Sequence, residues 1–150
     1  MNLSSGALIM PPATSPFVIE SVVETAPKEI KAEDYQPITD SKNIERFVND
    51  YFADIPILAK IAKCESRFRH LDSEGDVLKG NRNQHDTGVM QINVLYHAKT
   101  AEKLGLDIHG LDDNVAYARY LYQKQGVKPW ASSSACWAKY NNQSQQIAKK

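Results

Sequence analysis

Net charge is missing from this chain. Its 18 Lys and Arg are matched by 18 Asp and Glu, which removes the electrostatic reason to expect nucleic acid or an anionic membrane as a partner. Long apolar runs are missing as well, and no stretch approaches the roughly 20 residues of a membrane-spanning helix. The first ten residues carry no basic region and only the short apolar run Ala7-Leu8-Ile9-Met10, so no signal peptide is expected. Cysteine is scarce, with Cys64 and Cys136 the whole complement. Two such residues fit either a pair of buried small hydrophobes or one disulfide in an exported protein, and spacing does not choose between them. His70, His85, His97 and His109 show no compact ligand spacing, so no metal site is expected. Ser132-Ser133-Ser134 reads as helix-start chemistry without a nucleophile elbow. No internal repeat occurs.

What is present divides the 150 residues into three parts. Residues 1–40 hold five of the seven prolines, mixed with Ser, Thr and Glu, and read as a disordered leader. Phe17-Val18-Ile19 and Val22-Val23 are its apolar spots. A domain is expected over residues 41–143, and a polar, frayed tail over 144–150. Ile44, Phe47, Val48, Tyr51 and Phe52 follow helical spacing and predict a helix over 42–53. Asp54 is a candidate cap and Pro56 a candidate first-turn residue for a second helix ending near His70. Residues 71–86 are rich in Gly, Asn and Asp and suit a loop or small β-hairpin. Further helices are expected over about 94–104, from a cap at Asp112 to Gly126, and from Pro129 onward.

The second helix carries the most informative residue. At 100° per residue, Ile57, Leu58, Ile61, Ala62, Cys64 and Phe68 share one face, and Lys60, Lys63 and Arg67 lie opposite. Glu65 falls inside the apolar face. A carboxylate aimed at a core costs several kcal/mol unless it is paired or takes up a proton. Glu65 is therefore a candidate general acid. The alternative is an ordinary i,i+4 pair with Arg69 at the edge of the stripe.

The polar loop after Glu65 leads to Asp86-Thr87-Gly88-Val89-Met90-Gln91-Ile92-Asn93. Glu65-Ser66-Arg67-Phe68 resembles the Glu-Ser-x-Phe of the soluble lytic transglycosylase domains of the lysozyme-like superfamily. Gly88-Val89-Met90-Gln91-Ile92 resembles their Gly-Leu-Met-Gln-Ile, and Asn114-Val115 their Asn-Ile. The resemblance covers about residues 54–137. It implies a mostly helical, two-lobed lysozyme-like fold with Glu65 on one wall of a cleft. It also implies a peptidoglycan substrate, cut between N-acetylmuramic acid and N-acetylglucosamine without water, by a monomer that needs no cofactor. Glu65 would be the catalytic acid and then the base. Ser66, Gly88, Met90, Gln91 and Asn93 would bind substrate.

Three departures accompany the resemblance. The family's Ala-Tyr-Asn-Ala-Gly in the last helix is replaced by Ser134-Ala135-Cys136-Trp137. Trp137 stands either as a sugar platform in the tyrosine's place or as a core aromatic packed on Trp130. The family's glycine after Asn114 is Ala118, and Tyr122 follows Leu121 instead of preceding a leucine. Asp86 also matches the second carboxylate of animal c-type lysozymes, which leaves two readings: hydrolysis by Glu65 with Asp86, or a turn residue bonding the amides near Gly88. In such a fold the last helix packs near the Glu65 helix. The resemblance thus implies a Cys64–Cys136 disulfide and a place outside the cytoplasm or on a virion. A non-catalytic glycan-binding module is the remaining alternative.

Overall fold

The computed structural model describes residues 6, 8–13 and 27–147, with side chains through 141. The fold is mostly helical, with one two-stranded antiparallel sheet. Helices α1 (Ser41–Tyr51) and α2 (Pro56–Ser66) come first, then strands β1 (Asp86–Thr87) and β2 (Ile92–Asn93). Helices α3 (Val94–Lys103), α4 (Leu111–Gln125) and α5 (Ser134–Ile147) complete it, α5 being entered through a 3-10 turn, Lys128–Ser133. One apolar core runs through all of it, built on Ile44, Phe47, Phe52, Leu58, Ile61, Val89, Met90, Val115, Tyr117 and Trp130. Among the described residues, no helix is long and apolar enough to cross a membrane.

The helical periods place the elements well, but several ends differ from expectation. The second helix stops at Ser66 instead of His70. Arg67 and Phe68 take left-handed φ values of 55° and 58°, a conformation that spacing rules do not anticipate for residues other than glycine. The Arg67 amide closes the helix on the Lys63 carbonyl at 3.0 Å. The reversal swings Phe68 into the core by a bend in the chain, not by helical continuation.

Asp54 does not cap α2. Its carboxylate pairs with Arg119 on α4, with oxygen-to-nitrogen distances of 2.6 and 3.0 Å. Asp112 lies one residue inside α4, which Gly110 precedes as N-cap, and its Oδ1 accepts the Ala32 amide at 2.7 Å. Pro129 is the second residue of the 3-10 turn and does not open the last helix itself, because Trp130 leaves helical geometry at φ −110° and ψ 22°. Helix α5 then continues to Ile147, through residues expected to fray.

The domain also begins earlier than residue 41. Residues 32–35 form a 3-10 turn with Ala32 buried, and Ile30, Tyr35 and Ile38 pack on the core. The proline-rich composition masked these sparse apolar anchors, which pack on the core on either side of the turn. Residues 8–13 are exposed coil. Phe17-Val18-Ile19, Val22-Val23 and residues 148–150 lie outside the described residues.

The hairpin is irregular, as the Gly, Asn and Asp content of 71–86 suggests. Bridges Leu71–Val77 and Lys79–Thr87 precede the short β1–β2 ladder, in which Asp86 faces Asn93 and Thr87 faces Ile92. The acidic run from Asp72 is turn chemistry: Asp72 Oδ1 accepts the Glu74 and Asp76 amides at 2.9 and 3.0 Å.

Candidate active site

A buried polar clamp holds the turn between the two strands. Asn114, fully buried on α4, accepts the Met90 amide on Oδ1 at 3.0 Å. Its Nδ2 donates to the Thr87 and Ile108 carbonyls at 3.0 and 2.8 Å. His70 completes the clamp. Its Nδ1 accepts the Val89 amide at 3.2 Å, so the ring proton sits on Nε2, which donates to the His109 carbonyl at 2.7 Å. Burial keeps this imidazole neutral by pushing its pKa below the ordinary histidine value.

Both side chains press on Gly88, whose φ is +74°. A Cβ there would lie 2.6 Å from Asn114 Nδ2 and 2.7 Å from His70 Cε1. Glycine is required twice over, by conformation and by space, and what approaches it closely is the protein itself. The clamp thereby fixes the Thr87–Ile92 turn, including Gln91 in a left-handed conformation at φ 49°.

That turn forms one wall of a cavity of about 240 Å³. Glu65 at the end of α2 forms part of the opposite side, with Pro129, Trp130 and Ser132 from the 3-10 turn. Asp86, Gln91 and Asn93 line it from the hairpin, and Tyr96, His97 and Leu121 from α3 and α4. Four of the residues singled out in the sequence, Glu65, Asp86, Gln91 and Asn93, therefore share one hollow.

Glu65 is half-buried there and forms no pair with Arg69, whose guanidinium Nε donates to the Ser66 carbonyl at 3.2 Å. The i,i+4 alternative is thus removed. Glu65 Oε1 instead accepts the hydroxyl of Ser133. Burial raises the Glu65 pKa above the usual carboxylate range; the Ser133 hydrogen bond works against this, and the negative charge of Asp86 adds to it.

Asp86 is not the turn residue that one reading made it. Its Oδ1 accepts Asn93 Nδ2 at 2.9 Å across the β1–β2 pair. Asn93 in turn caps α3 by accepting the Leu95 and Tyr96 amides at 3.1 and 3.4 Å. One asparagine thus orients the second carboxylate and starts the helix that carries Tyr96 and His97. Gln91 is tied back through Nε2 to the Gly88 carbonyl at 2.9 Å.

Four expected substrate-binding residues lie behind the cavity wall and not on it. Ser66 is buried and bonds the Ala62 carbonyl and the Arg69 amide, finishing α2. Gly88 is enclosed by His70 and Asn114. Met90 is fully buried, and its carbonyl accepts Trp130 Nε1 at 3.0 Å. Trp137 is buried too, with Nε1 donating to the Trp130 carbonyl and to Ser133 Oγ, both at 3.0 Å. Of its two readings, the buried core aromatic is the one that its burial supports, with Trp130 met through its backbone carbonyl.

Cys64 and Cys136 form a disulfide, with Cα atoms 6.0 Å apart. It joins α2 to α5 immediately beside Glu65.

Ser133, His70 and His97 were missed as site residues. The serine is 68 positions from Glu65, and the one usable signal was its place three residues before Cys136. If Cys136 meets Cys64, the preceding turn must face Glu65. The Nδ1 of His97 lies 3.1 Å from the hydroxyl of the buried Tyr117, and burial lowers its pKa.

A larger hollow of about 490 Å³ lies on another side of α3, between that helix and residues 105–109. Its floor is apolar, and the one acid there with a shifted pKa, Asp107, is held low by bonds to the amide and ring of His109. Size alone does not make it a reactive site. Among the described residues no cluster of His, Cys, Asp or Glu is placed to hold a metal ion. No protein-family model, no curated protein and no solved structure matches the chain.

Proposed function

We propose that this chain is a peptidoglycan lytic transglycosylase, with Glu65 acting as general acid and then as general base. The observation that carries the reading is the setting of Glu65: a carboxyl in a cavity, unpaired with any cation among the described residues, its pKa raised chiefly by burial. Such a group keeps its proton to higher pH than an ordinary carboxyl and can deliver it to a leaving oxygen. The order and spacing of Glu65-Ser66-Arg67-Phe68, Gly88–Ile92 and Asn114-Val115 support the choice of substrate by their resemblance to that family.

In this reading the protonated Glu65 donates to the glycosidic oxygen between N-acetylmuramic acid and N-acetylglucosamine as the C1–O bond breaks. The substrate's own N-acetyl oxygen engages C1 in between. The ionised Glu65 then takes the proton of the C6 hydroxyl while O6 closes on C1, giving the 1,6-anhydro end. Glu65 finishes protonated, ready for another cycle. Gln91, Asn93, Tyr96 and His97 offer polar edges to the sugars from the opposite wall.

Asp86 supports a second reading, a hydrolytic muramidase, because it lines the same cavity and its charge acts on Glu65. A purely glycan-binding module has less behind it, since binding gives no reason to hold a carboxylate in a low-dielectric wall. The disulfide supports a location outside the cytoplasm, in a periplasm, a medium or a virion, where a monomer would meet the glycan strands.

Purified peptidoglycan supplies the test. Glu65→Gln should abolish its clearing while the far-ultraviolet circular dichroism stays that of the parent; retained clearing would remove the assignment. Asp86→Asn should keep most of the activity under the transglycosylase reading and lose it under the two-carboxylate one.

A further inference from the structure

The Ser133 hydroxyl stands at a junction of three polar groups. Its hydroxyl reaches Glu65 Oε1 and, at 3.1 Å, the Trp130 carbonyl; its oxygen receives Trp137 Nε1 at 3.0 Å. A serine hydroxyl has one hydrogen to give and two lone pairs to fill. With two acceptors and one fixed donor around it, the hydrogen has two places to go.

We propose that Ser133 is the positioning residue for Glu65 in both of its protonation states, switching from donor to acceptor as the carboxyl gains its proton. When Glu65 is ionised, Ser133 donates to Oε1 and accepts from Trp137. The single Trp137 N–H is then shared between Ser133 Oγ and the Trp130 carbonyl, each 3.0 Å from Nε1. When Glu65 is protonated on Oε1, the carboxyl O–H donates to Ser133 Oγ, and the serine hydrogen turns to the Trp130 carbonyl. Both lone pairs of Oγ are then occupied, by Glu65 and by Trp137. Hydrogens and lone pairs balance in each state, and no buried polar group is orphaned in either.

The exchange has a consequence for geometry. A carboxyl that lost its partner on protonation would be free to rotate. Here Oε1 stays tied, and Oε2, which has no hydrogen-bond partner among the described residues, is left for the cavity. Trp137, buried on α5 and adjacent to Cys136, gives the junction a rigid backing. The value of this to an acid that must become a base rests on the function proposed above; the hydrogen-bond exchange itself does not.

The experiment therefore uses no substrate. In the full, disulfide-bonded chain, the carboxyl carbon of Glu65 and the indole N–H of Trp137 are followed by NMR across a pH titration. In the parent protein the two resonances should move together with one midpoint, because the Trp137 donor senses which way the serine hydroxyl points. In Ser133→Ala the Glu65 midpoint should shift to higher pH, and the Trp137 signal should cease to follow it. Ser133→Thr should restore both. A Trp137 resonance that stays still through the Glu65 titration of the parent protein overturns the proposal, even if the alanine variant fails to fold. An unchanged Glu65 midpoint in Ser133→Ala overturns it too. Loss of glycan cleavage as an activity would leave both readouts standing.

Discussion

Cys64 and Cys136 are joined across 72 positions of sequence, one residue from Glu65 and three from its hydrogen-bond partner Ser133. The covalent bond and the polar contact lie side by side, so the disulfide fixes the distance over which the acid and the serine meet.

The thermodynamic part of that role is measurable. Closing so long a loop restricts the unfolded chain by about 4 kcal/mol. The double variant Cys64→Ala/Cys136→Ala should lose stability on that scale in urea unfolding, and the unreduced parent should show no reactive thiol after denaturation. Two titratable thiols would contradict the bond.

Glu65 itself should be a stability liability near neutral pH. Its folded pKa lies above the unfolded value of 4.5, so the unfolded chain ionises first as pH rises. Stability is then lost as pH climbs from 4.5 through the folded pKa. Glu65→Gln should therefore melt higher than the parent at pH 7, with the advantage shrinking toward pH 4. A variant that melts lower at pH 7 would mean that the carboxylate is favourably paired, and the account of its burial would fail.

The buried histidines, His70 in the clamp behind the turn and His97 on α3, carry the opposite sign. His70 and His97 are both held below the ordinary histidine value of 6.5 by burial. In the unfolded chain they take up protons first as pH falls, so their contribution is complete above pH 6.5 and is lost below it. In the Glu65→Gln background, the urea midpoint should decline steadily from pH 7 to pH 5. Asn114→Leu should be costlier still, by about 3 kcal/mol or more at any pH, because the Met90 amide and two carbonyls lose their partners together. A near-neutral Asn114→Leu would show that the turn is held by its apolar residues alone.

How far these features can be read in the sequence depends on whether they are local. The apolar period of Ile44 to Phe52 and the misplaced carboxylate at Glu65 are properties of single helices, and they are legible. The end of α2 is not, since Arg67 and Phe68 adopt left-handed conformations for tertiary reasons that their identities do not advertise. Gly88 and Met90 lie close to the cavity residues in sequence, yet they are buried in the tight turn between two short strands, and Ser66 turns back onto the end of α2. Ser133 is the clearest loss. Its serine run reads as a helix start, and only the meeting of α2 with α5, fixed by residues outside the run, turns one of its hydroxyls toward Glu65.

The most direct measurement is the mass of the cleaved ends in a digest of purified peptidoglycan. Muropeptides one water lighter than the reducing form, absent from a Glu65→Gln digest, are the result predicted for Glu65 acting first as acid and then as base on the C6 hydroxyl. Reducing ends from the parent protein would contradict it and move Asp86 from bystander to second catalytic carboxylate.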